Sequence, residues 1–214
     1  MKIGILGGIG PEATSEFYSK LIFEIQRRGI KSNRDFPQII INSIPAPELI
    51  NDNVSQEELS FYRKGLAELD SFGVDFIVMV CNTIHLFYDE LQEGIKSPII
   101  DLRKAVYDKI KNAKAITVLG TPLTVKKLYK FEGIKTINPV DDELSELSSA
   151  IFNYNKGVEK EKQKEFATRL SNKYLKLGSE KIVLGCTELA VMLKGENFVN
   201  TLDVLVKATL KRFI

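Results

Sequence analysis

Residues 73–81 read Gly73-Val74-Asp75-Phe76-Ile77-Val78-Met79-Val80-Cys81, and residues 178–186 read Gly178-Ser179-Glu180-Lys181-Ile182-Val183-Leu184-Gly185-Cys186. The glycine, the acidic residue, the Ile-Val pair and the cysteine occupy the same places in both stretches. Each stretch is a short, β-rich apolar run, which is typical of a buried strand. These two cysteines are the only ones in the chain. We therefore predict that they form a facing pair with related roles in two similar halves.

A second repeat supports a duplication. Ile3-Gly4-Ile5-Leu6-Gly7-Gly8, followed by Pro11, resembles Ile116-Thr117-Val118-Leu119-Gly120-Thr121, followed by Pro122. Both are buried-type strands that end in a small-residue turn and a proline suited to the start of a helix. Parallel strands rich in Ile and Val also resemble one another by chance, but the matched cysteines favour duplication.

The alternation of short apolar runs with helical patterns predicts an α/β fold. We expect two similar lobes, each a mainly parallel sheet flanked by helices. Residues 1–102 plus 203–214 are predicted to form the N-terminal lobe, and residues 103–202 the C-terminal lobe. Strands are predicted at 3–7, 38–43, 75–80, 98–100, 115–120, 134–137 and 181–185. Helices are predicted at 11–28, 56–71, 83–93, 122–130, 141–155, 159–177, 187–193 and 203–213.

Composition excludes several classes of partner. A hydrophobic fraction of 44% over 214 residues is ordinary for a globular protein with a sizeable core. Thirty basic residues against 28 acidic ones do not indicate a nucleic-acid partner. No apolar run approaches the ~20 residues that span a bilayer, so no membrane association is expected. The first residues resemble a strand and not a signal peptide, which predicts a cytoplasmic protein with reduced thiols.

The two cysteines suggest a specific chemistry. In open α/β sheets, ligands bind beyond the carboxyl ends of the strands, where Cys81 and Cys186 are predicted to lie. The following helix N-termini favour anions and lower the pKa of a thiol. Their N–H groups, with the side chains of Asn82, Thr83 and Thr187, can hold a carboxylate. Thiols on either side of a small anion suit proton transfer at carbon, with one removing a proton and the other delivering one.

Simpler interpretations exist for these residues. Cys81 and Cys186 could be small buried hydrophobic residues at strand ends, or a disulfide, which the expected compartment disfavours. His85 is the only histidine and follows Cys81 by one helical turn. It could tune the thiol, contact substrate or only fill space.

The first turn also fits a nucleotide-binding pattern. Gly8, Gly10 and Ala13 match G-x-G-x-x-G/A after a strand. The next strand, however, ends at Asn42 without the acidic residue that would hold a ribose, and Pro11 lacks a backbone donor. A tight turn that lets the backbone approach a smaller ligand is the better interpretation.

Three motifs together resemble the aspartate/glutamate racemase superfamily, and in detail its aspartate racemase branch. They are Gly7-Gly8-Ile9-Gly10-Pro11-Glu12-Ala13-Thr14, Cys81-Asn82-Thr83-Ile84-His85 and Gly185-Cys186-Thr187-Glu188-Leu189. The resemblance covers nearly the whole chain. It implies two α/β lobes with the active site in the cleft between them, a small amino acid as substrate, no cofactor and commonly a homodimer.

The resemblance also implies roles for individual residues. Cys81 and Cys186 would be the catalytic acid/bases, each serving one enantiomer. By motif position, the substrate-binding residues would be Gly8, Ile9, Asn82, Thr83, Thr121, Thr124, Lys156 and Thr187. In the family, the lysine matched by Lys156 points at the side-chain carboxylate of the substrate. The roles of His85 and Glu188 stay open.

The segment after the second predicted strand departs from the family motif, and this difference bears on the substrate. The family often has Pro-Asp-Arg after the second strand, with the arginine pairing with the distal carboxylate. Here the segment reads Pro45-Ala46-Pro47-Glu48-Leu49, and no arginine follows before Arg63. Loss of a bidentate clamp removes a strong charge-assisted contact. We predict a racemase of aspartate, with glutamate or a broader set of amino acids as alternatives. Other possibilities are a maleate isomerase-like or hydantoin racemase-like enzyme, and a non-catalytic dicarboxylate-binding protein.

Overall fold

The computed structural model of the chain describes residues 1–49 and 54–213. Within that part, the strands form two parallel sheets, with the orders β2-β1-β3 and β5-β4-β6-β7. The strands are β1 (Lys2–Gly7), β2 (Gln38–Ser43), β3 (Phe76–Met79), β4 (Ala115–Leu119), β5 (Lys135–Thr136), β6 (Lys181–Leu184) and β7 (Phe198–Asn200). The helices are α1 (Pro11–Arg27), α2 (Gln56–Ser71), α3 (Tyr88–Glu93), α4 (Leu102–Ile110), α5 (Asp141–Asn155), α6 (Lys160–Lys176), α7 (Thr187–Met192) and α8 (Thr201–Phe213).

The central strands of both sheets are buried on both faces. Every residue of β3 and β4 is buried, as expected for parallel strands covered by helices. The register pairs Ile3 with Phe76 in the first sheet and Ile116 with Lys181 in the second. The two predicted repeats therefore form adjacent, paired strands in both sheets, β1 with β3 and β4 with β6, and their carboxyl ends carry the predicted site.

Amphipathic helices cover these sheets. α1 places Ala13, Phe17, Leu21 and Ile25 on one buried face, at the four-residue spacing of a helical stripe. Pro11 begins the helix, where its missing N–H costs no hydrogen bond. The last helix, α8, contacts α1, α4 and α7. The division of the chain into lobes at residues 102/103 and 202/203 stays a prediction.

The predicted fold class, α/β with two parallel sheets flanked by helices, is confirmed. One predicted strand is reduced to a single bridge: residues 98–100 pair with β3 only between Ile77 and Ile99. The Ile77 N–H donates to the Pro98 carbonyl at 2.9 Å, and the Ile100 N–H donates to the Ile77 carbonyl at 2.9 Å. Pro98 has no N–H of its own, so the pairing does not continue.

Other differences concern short elements. The predicted helix 83–93 is divided into a 3-10 helix, Thr83–Phe87, and α3. Of the predicted helix 122–130, residues 122–128 are helical, with Thr124–Leu128 as one turn of π-helix. The prediction missed α4 and β7. For α4 a signal existed, because the Asp101 side chain accepts a hydrogen bond from the Arg103 N–H at 3.0 Å and caps the helix. β7 has three residues, too few for a periodic pattern.

Within residues 1–49 and 54–213, no helix combines the length and the apolar character needed to cross a bilayer.

Candidate active site

The two cysteines line one cavity at the carboxyl ends of the sheets. Cys81 follows the end of β3 by two residues, and Cys186 follows the end of β6 by two residues. The cavity is narrow, about 40 Å³, so a bound amino acid requires the lining side chains to move apart. Its other described lining residues are Ile9, Glu48, Leu49, Asn82, Thr83, Thr121, Ile151, Phe152, Asn155, Thr187 and Glu188.

The Cys81 thiol faces hydrogen-bond donors of the 3-10 helix that follows it. Burial is the largest effect on this group and raises the pKa of Cys81 to about 12. The charge of Glu188 raises this pKa further, whereas the N–H groups of Ile84 and Thr83 and the Thr83 hydroxyl lower it. The prediction of a lowered thiol pKa is therefore wrong for this structure. The donors exist as expected, but desolvation outweighs them.

The Cys186 thiol is paired with a carboxylate. Cys186 is the N-terminal residue flanking α7, and its Sγ donates to Oε2 of Glu188 at 2.8 Å. Burial, followed by the charge of Glu188, raises the pKa of Cys186 well above the ordinary thiol value. The charge of Cys81 adds to that rise, so the two thiols interact electrostatically. Here too the predicted lowering of the pKa is wrong, for the same reason.

Glu188 is itself buried, with 7% of its surface exposed. Its Oε2 also accepts a hydrogen bond from the Thr187 hydroxyl at 3.2 Å. Burial raises the pKa of Glu188, and the hydrogen bonds from Cys186 and Thr187 act in the opposite direction. The Cys-Thr-Glu sequence therefore forms a single hydrogen-bonded unit at the start of α7.

The glycines of the first turn make room for protein groups. A Cβ atom on Gly10 would overlap Oε1 of Glu188. Gly8 has a φ of +85°, and a Cβ there would overlap the backbone of Ile44. The Thr14 hydroxyl closes the turn, accepting from the Gly8 N–H at 3.1 Å and donating to the Gly10 carbonyl at 3.1 Å. The glycine pattern is thus explained by close packing of the turn.

Three threonine hydroxyls beside the cavity connect the turns that follow strands of the two sheets. Thr83 Oγ1 lies 2.9 Å from Thr124 Oγ1 and 3.3 Å from Thr121 Oγ1. Thr121 Oγ1 in turn lies 3.2 Å from Thr124 Oγ1. Thr83 and Thr121 line the cavity, whereas Thr124 is fully buried and is not among the lining residues. Thr124 therefore supports the other two hydroxyls.

Asn82 lines the cavity, but its amide is engaged within the protein. Its Nδ2 donates to Thr201 Oγ1 at 3.0 Å, and its Oδ1 accepts from the Tyr129 hydroxyl at 2.6 Å. Asn82 therefore ties the Cys81 turn to two segments that are distant in sequence. The groups of Asn82 that could still make its predicted contact with a substrate carboxylate are the second amide hydrogen and the backbone.

Three other predicted positions lie outside the cavity wall. Lys156 is exposed just beyond the end of α5, and the preceding residue, Asn155, lines the cavity instead. Gly8 is not a lining residue, although its neighbour Ile9 is. His85 is fully buried, with Nδ1 2.8 Å from the Cys81 carbonyl and Nε2 3.3 Å from the Ile100 carbonyl. It braces the Cys81 backbone, and burial lowers its pKa.

Comparison with known proteins agrees with this arrangement. The family model described as Asp/Glu/Hydantoin racemase matches residues 6–208. The chain belongs to this family. The predicted resemblance is thereby confirmed.

Individual relatives of the chain are racemases and racemase homologues. The chain is 35% identical over 144 residues to the broad-specificity amino-acid racemase RacX of Bacillus subtilis (strain 168). That match covers 64% of this chain and 63% of RacX, less than two thirds of its length. An aspartate racemase homologue from Pyrococcus horikoshii OT3 is 28% identical, with a TM-score of 0.75, over 99% of this chain and 98% of the other. The Picrophilus torridus aspartate racemase, at 22% identity, shares the fold over 99% and 93% of the chains, with a TM-score of 0.80.

Sequence reasoning missed several residues of this site. Glu48 and Leu49 were noted only as a departure from the family motif, and both line the cavity. Glu188 had no assigned role, although its place in the motif of Cys186 was a usable signal. Tyr129 carries no local signal, because its partner Asn82 lies far away in sequence. Asn155 lines the cavity but belongs to no motif.

Proposed function

We propose that the protein is a cofactor-independent amino-acid racemase in which Cys81 and Cys186 act as paired acid and base. The observation that supports this is the placement of both thiols, from equivalent turns of two sheets, on one cavity. One thiolate removes the proton from the substrate Cα, and the opposite thiol delivers a proton to the other face. One C–H bond breaks and another forms, so the two sulfur atoms exchange protonation states in each turnover.

The reaction needs strong stabilisation of its intermediate, because an amino-acid Cα–H is far less acidic than a thiol. The hydroxyls of Thr83, Thr121 and Thr187 border the cavity. Each can donate to a substrate carboxylate that gains charge when its hydrogen turns away from its present protein partner. A well-placed donor of this kind is typically worth about 2.7–4 kcal/mol in the transition state. Positioned acid and base groups contribute roughly a further 10²–10⁴-fold in rate. Thr124 would act through Thr83, and contacts from Gly8 and Lys156 stay predictions.

The two thiols have different resting roles in this scheme. Cys81 faces N–H donors, which stabilise a thiolate, whereas the Cys186 thiol donates a hydrogen bond to Glu188. Cys81 is therefore the base and Cys186 the acid when an enantiomer is attacked from the Cys81 side. In the reverse direction Glu188 accepts the Cys186 proton, and burial, which raises the pKa of Glu188, suits it to that task. The raised thiol pKa values make each thiolate a stronger base once it forms.

The resemblance to aspartate and glutamate racemases also suggests an acidic substrate, a homodimer and a cytoplasmic location. The dimer is tested by light scattering after size exclusion. A homodimer gives twice the 24.1 kDa mass of the chain, and a single-chain mass contradicts it.

The test of the mechanism is isotope exchange without added cofactor. Pure protein is incubated in D₂O with a panel of L-amino acids, and chirality and deuterium at Cα are followed together. We expect both to change for at least one amino acid. Cys81→Ser and Cys186→Ser should each lower racemisation by at least about 10²-fold, because a serine hydroxyl is a much weaker acid than a thiol.

Thr168→Ser, on the exposed face of α6, is the control for a substitution that leaves the site intact. Full turnover by either cysteine variant would refute the two-thiol scheme. Thermal stabilisation by an amino acid without any deuterium uptake would indicate a binding protein instead.

A further inference from the structure

The charged groups on the cavity wall are all acidic. Among the described lining residues, Glu48 and Glu188 carry carboxylates, and none is a lysine or arginine. Two lysines occur near the end of α5, but neither lines the cavity. Lys156 is exposed, and Lys160 forms an ion pair with Glu12 while its Nζ lies 4.6 Å from the centre of the Tyr154 ring. A substrate with a second carboxylate would therefore meet no cation on this wall.

The segment that carries Glu48 is held in place beside Cys81. The buried Tyr62 donates its hydroxyl hydrogen to the Pro47 carbonyl at 2.5 Å, directly before Glu48. The Ile44 N–H donates to the Gly7 carbonyl at 3.0 Å, which ties the start of the segment to β1. Burial is the main cause that raises the pKa of Tyr62, and the charges of Cys81 and Glu48 add to the rise. Glu48 and Cys81 both line the cavity.

The sequence around Glu48 strengthens this charge pattern. Residues 36–62 contain no lysine or arginine, and they contain the acidic residues Glu48, Asp52, Glu57 and Glu58. The position where the family motif often has an arginine is occupied here by a stretch of opposite charge.

Four apolar side chains also belong to the wall. Ile9, Leu49, Ile151 and Phe152 line the cavity together with the two thiols. Leu49 and Ile151 are buried, with 6% and 3% of their surfaces exposed. A chain of methylene groups can pack against these side chains, because apolar surface that leaves water stabilises the complex. A wall with several apolar side chains and the carboxylate of Glu48 matches a long side chain with a positive end.

We propose that the preferred substrates are basic amino acids, whose apolar side-chain stem lies along Leu49 and Phe152 and whose terminal cation pairs with Glu48. This rests on the proposed racemase function and gives that site a substrate class different from aspartate. Glu48 is then a specificity-determining residue. The thiols act on the α-carbon and the threonine hydroxyls bind the α-carboxylate, and all amino acids share both groups. A dicarboxylate is disfavoured because its second carboxylate lies near Glu48 without a compensating cation.

The test compares matched substrates in D₂O with the full-length wild-type protein. L-Lysine and L-norleucine share the apolar stem, and only lysine carries the terminal ammonium. L-Aspartate and L-glutamate represent the acidic class. The quantity measured is kcat/KM for deuterium uptake at Cα. We expect lysine to exceed norleucine by about tenfold, the effect of one favourable charged contact of ~1.4 kcal/mol, and to exceed both acidic substrates by more.

A pair of variants assigns the effect to Glu48. Glu48→Gln keeps the shape of the side chain and removes its charge, so kcat/KM for lysine should fall about tenfold while the value for norleucine stays unchanged. Glu57→Gln removes an equally exposed carboxylate from the first turn of α2 and should change neither.

Three results would overturn the inference while leaving the racemase in place. The first is aspartate or glutamate as the best substrate, and the second is norleucine at or above lysine. The third is an equal loss for lysine and norleucine in Glu48→Gln, which would assign Glu48 to the α-ammonium group that both share. Absence of exchange from every amino acid would instead remove the proposed function, and this inference with it.

Discussion

The Sγ atom of Cys186 lies 2.8 Å from Oε2 of Glu188, in the interior of the protein. The Thr187 hydroxyl donates to the same oxygen at 3.2 Å, so three consecutive residues share one carboxylate oxygen. Oε1 points to Gly10 in the first turn of the chain, where a Cβ atom would overlap it. The carboxylate therefore links the second thiol to the glycine motif at the N-terminus.

Replacement of Glu188 by glutamine should stabilise the fold and slow the reaction. Burial raises the pKa of Glu188, so its contribution to stability is present below about pH 4.3, the ordinary glutamate value, and is lost as pH rises through the folded-state pKa. Glutamine does not ionise. The free energy of unfolding of Glu188→Gln, measured with urea, should therefore exceed that of the wild type at pH 7 more than at pH 4.

The same variant should racemise at least about tenfold more slowly, because Cys186 loses its proton acceptor. Glu196→Gln, at an exposed position near the end of the second sheet, is the control and should change neither quantity. A stability difference between wild type and Glu188→Gln that is the same at pH 4 and pH 7 would contradict the buried-carboxylate argument.

Addition of one methyl group at Gly10 should displace Glu188. Gly10→Ala places a Cβ where Oε1 now lies, and overpacking of this kind typically costs about 1–3 kcal/mol. Racemisation should fall together with stability. Gly94→Ala is the matched control, because Gly94 has a helical φ of −79° and the nearest atom to its added Cβ is 3.7 Å away. Urea unfolding and the D₂O assay measure both variants, and wild-type activity in Gly10→Ala would refute the coupling.

Local sequence signals predicted the parts of this site that follow strand ends. Cys81 and Cys186 come directly after buried apolar runs, and parallel strands bring their carboxyl ends to one edge, so a shared cavity was predictable. The same rule places Thr83, Thr121 and Thr187 on that cavity. The fold class followed equally from the alternation of strand and helix patterns.

Effects that depend on the other half of the chain were not predictable. The thiol pKa values rise because distant segments exclude water, whereas the sequence shows only the nearby N–H groups that lower them. Asn82 was expected to face substrate, yet its amide bonds to Tyr129 and Thr201. No periodicity or local sequence motif predicts such contacts.

Loss of the Thr124 hydroxyl should weaken the link between the two sheets. Thr124→Val keeps the shape of a fully buried side chain and removes an oxygen with partners at 2.9 Å and 3.2 Å. The partners Thr83 and Thr121 stay buried, so the expected loss is about 1–3 kcal/mol of unfolding free energy. Racemisation should also fall, since both partners line the cavity.

Thr168→Val is the control for this substitution, because Thr168 is exposed on α6 and its hydroxyl only donates to the Lys164 carbonyl. Surface changes of that kind usually stay within about 0.5 kcal/mol. Equal destabilisation by the two variants in urea titrations would show that the buried hydroxyl cluster has no special role.

The Cys81 thiol should react slowly with alkylating agents until the pH is high. Burial raises the pKa of Cys81 to about 12, whereas a free thiol ionises near 8.5. Only the thiolate is nucleophilic, so in Cys186→Ser the alkylation rate with iodoacetamide should keep rising tenfold per pH unit beyond pH 9, where free cysteine levels off.

The raised pKa of Cys81 also makes the unfolding free energy depend on pH. The stability that the protonated Cys81 thiol contributes is fully present below pH 8.5 and is lost as pH rises toward 12. Wild type should therefore lose more unfolding free energy than Cys81→Ser between pH 8 and pH 10. An alkylation rate that levels off at or below pH 8.5 would mean that the N–H donors of Thr83 and Ile84 outweigh burial, and that Cys81 is already a thiolate at neutral pH.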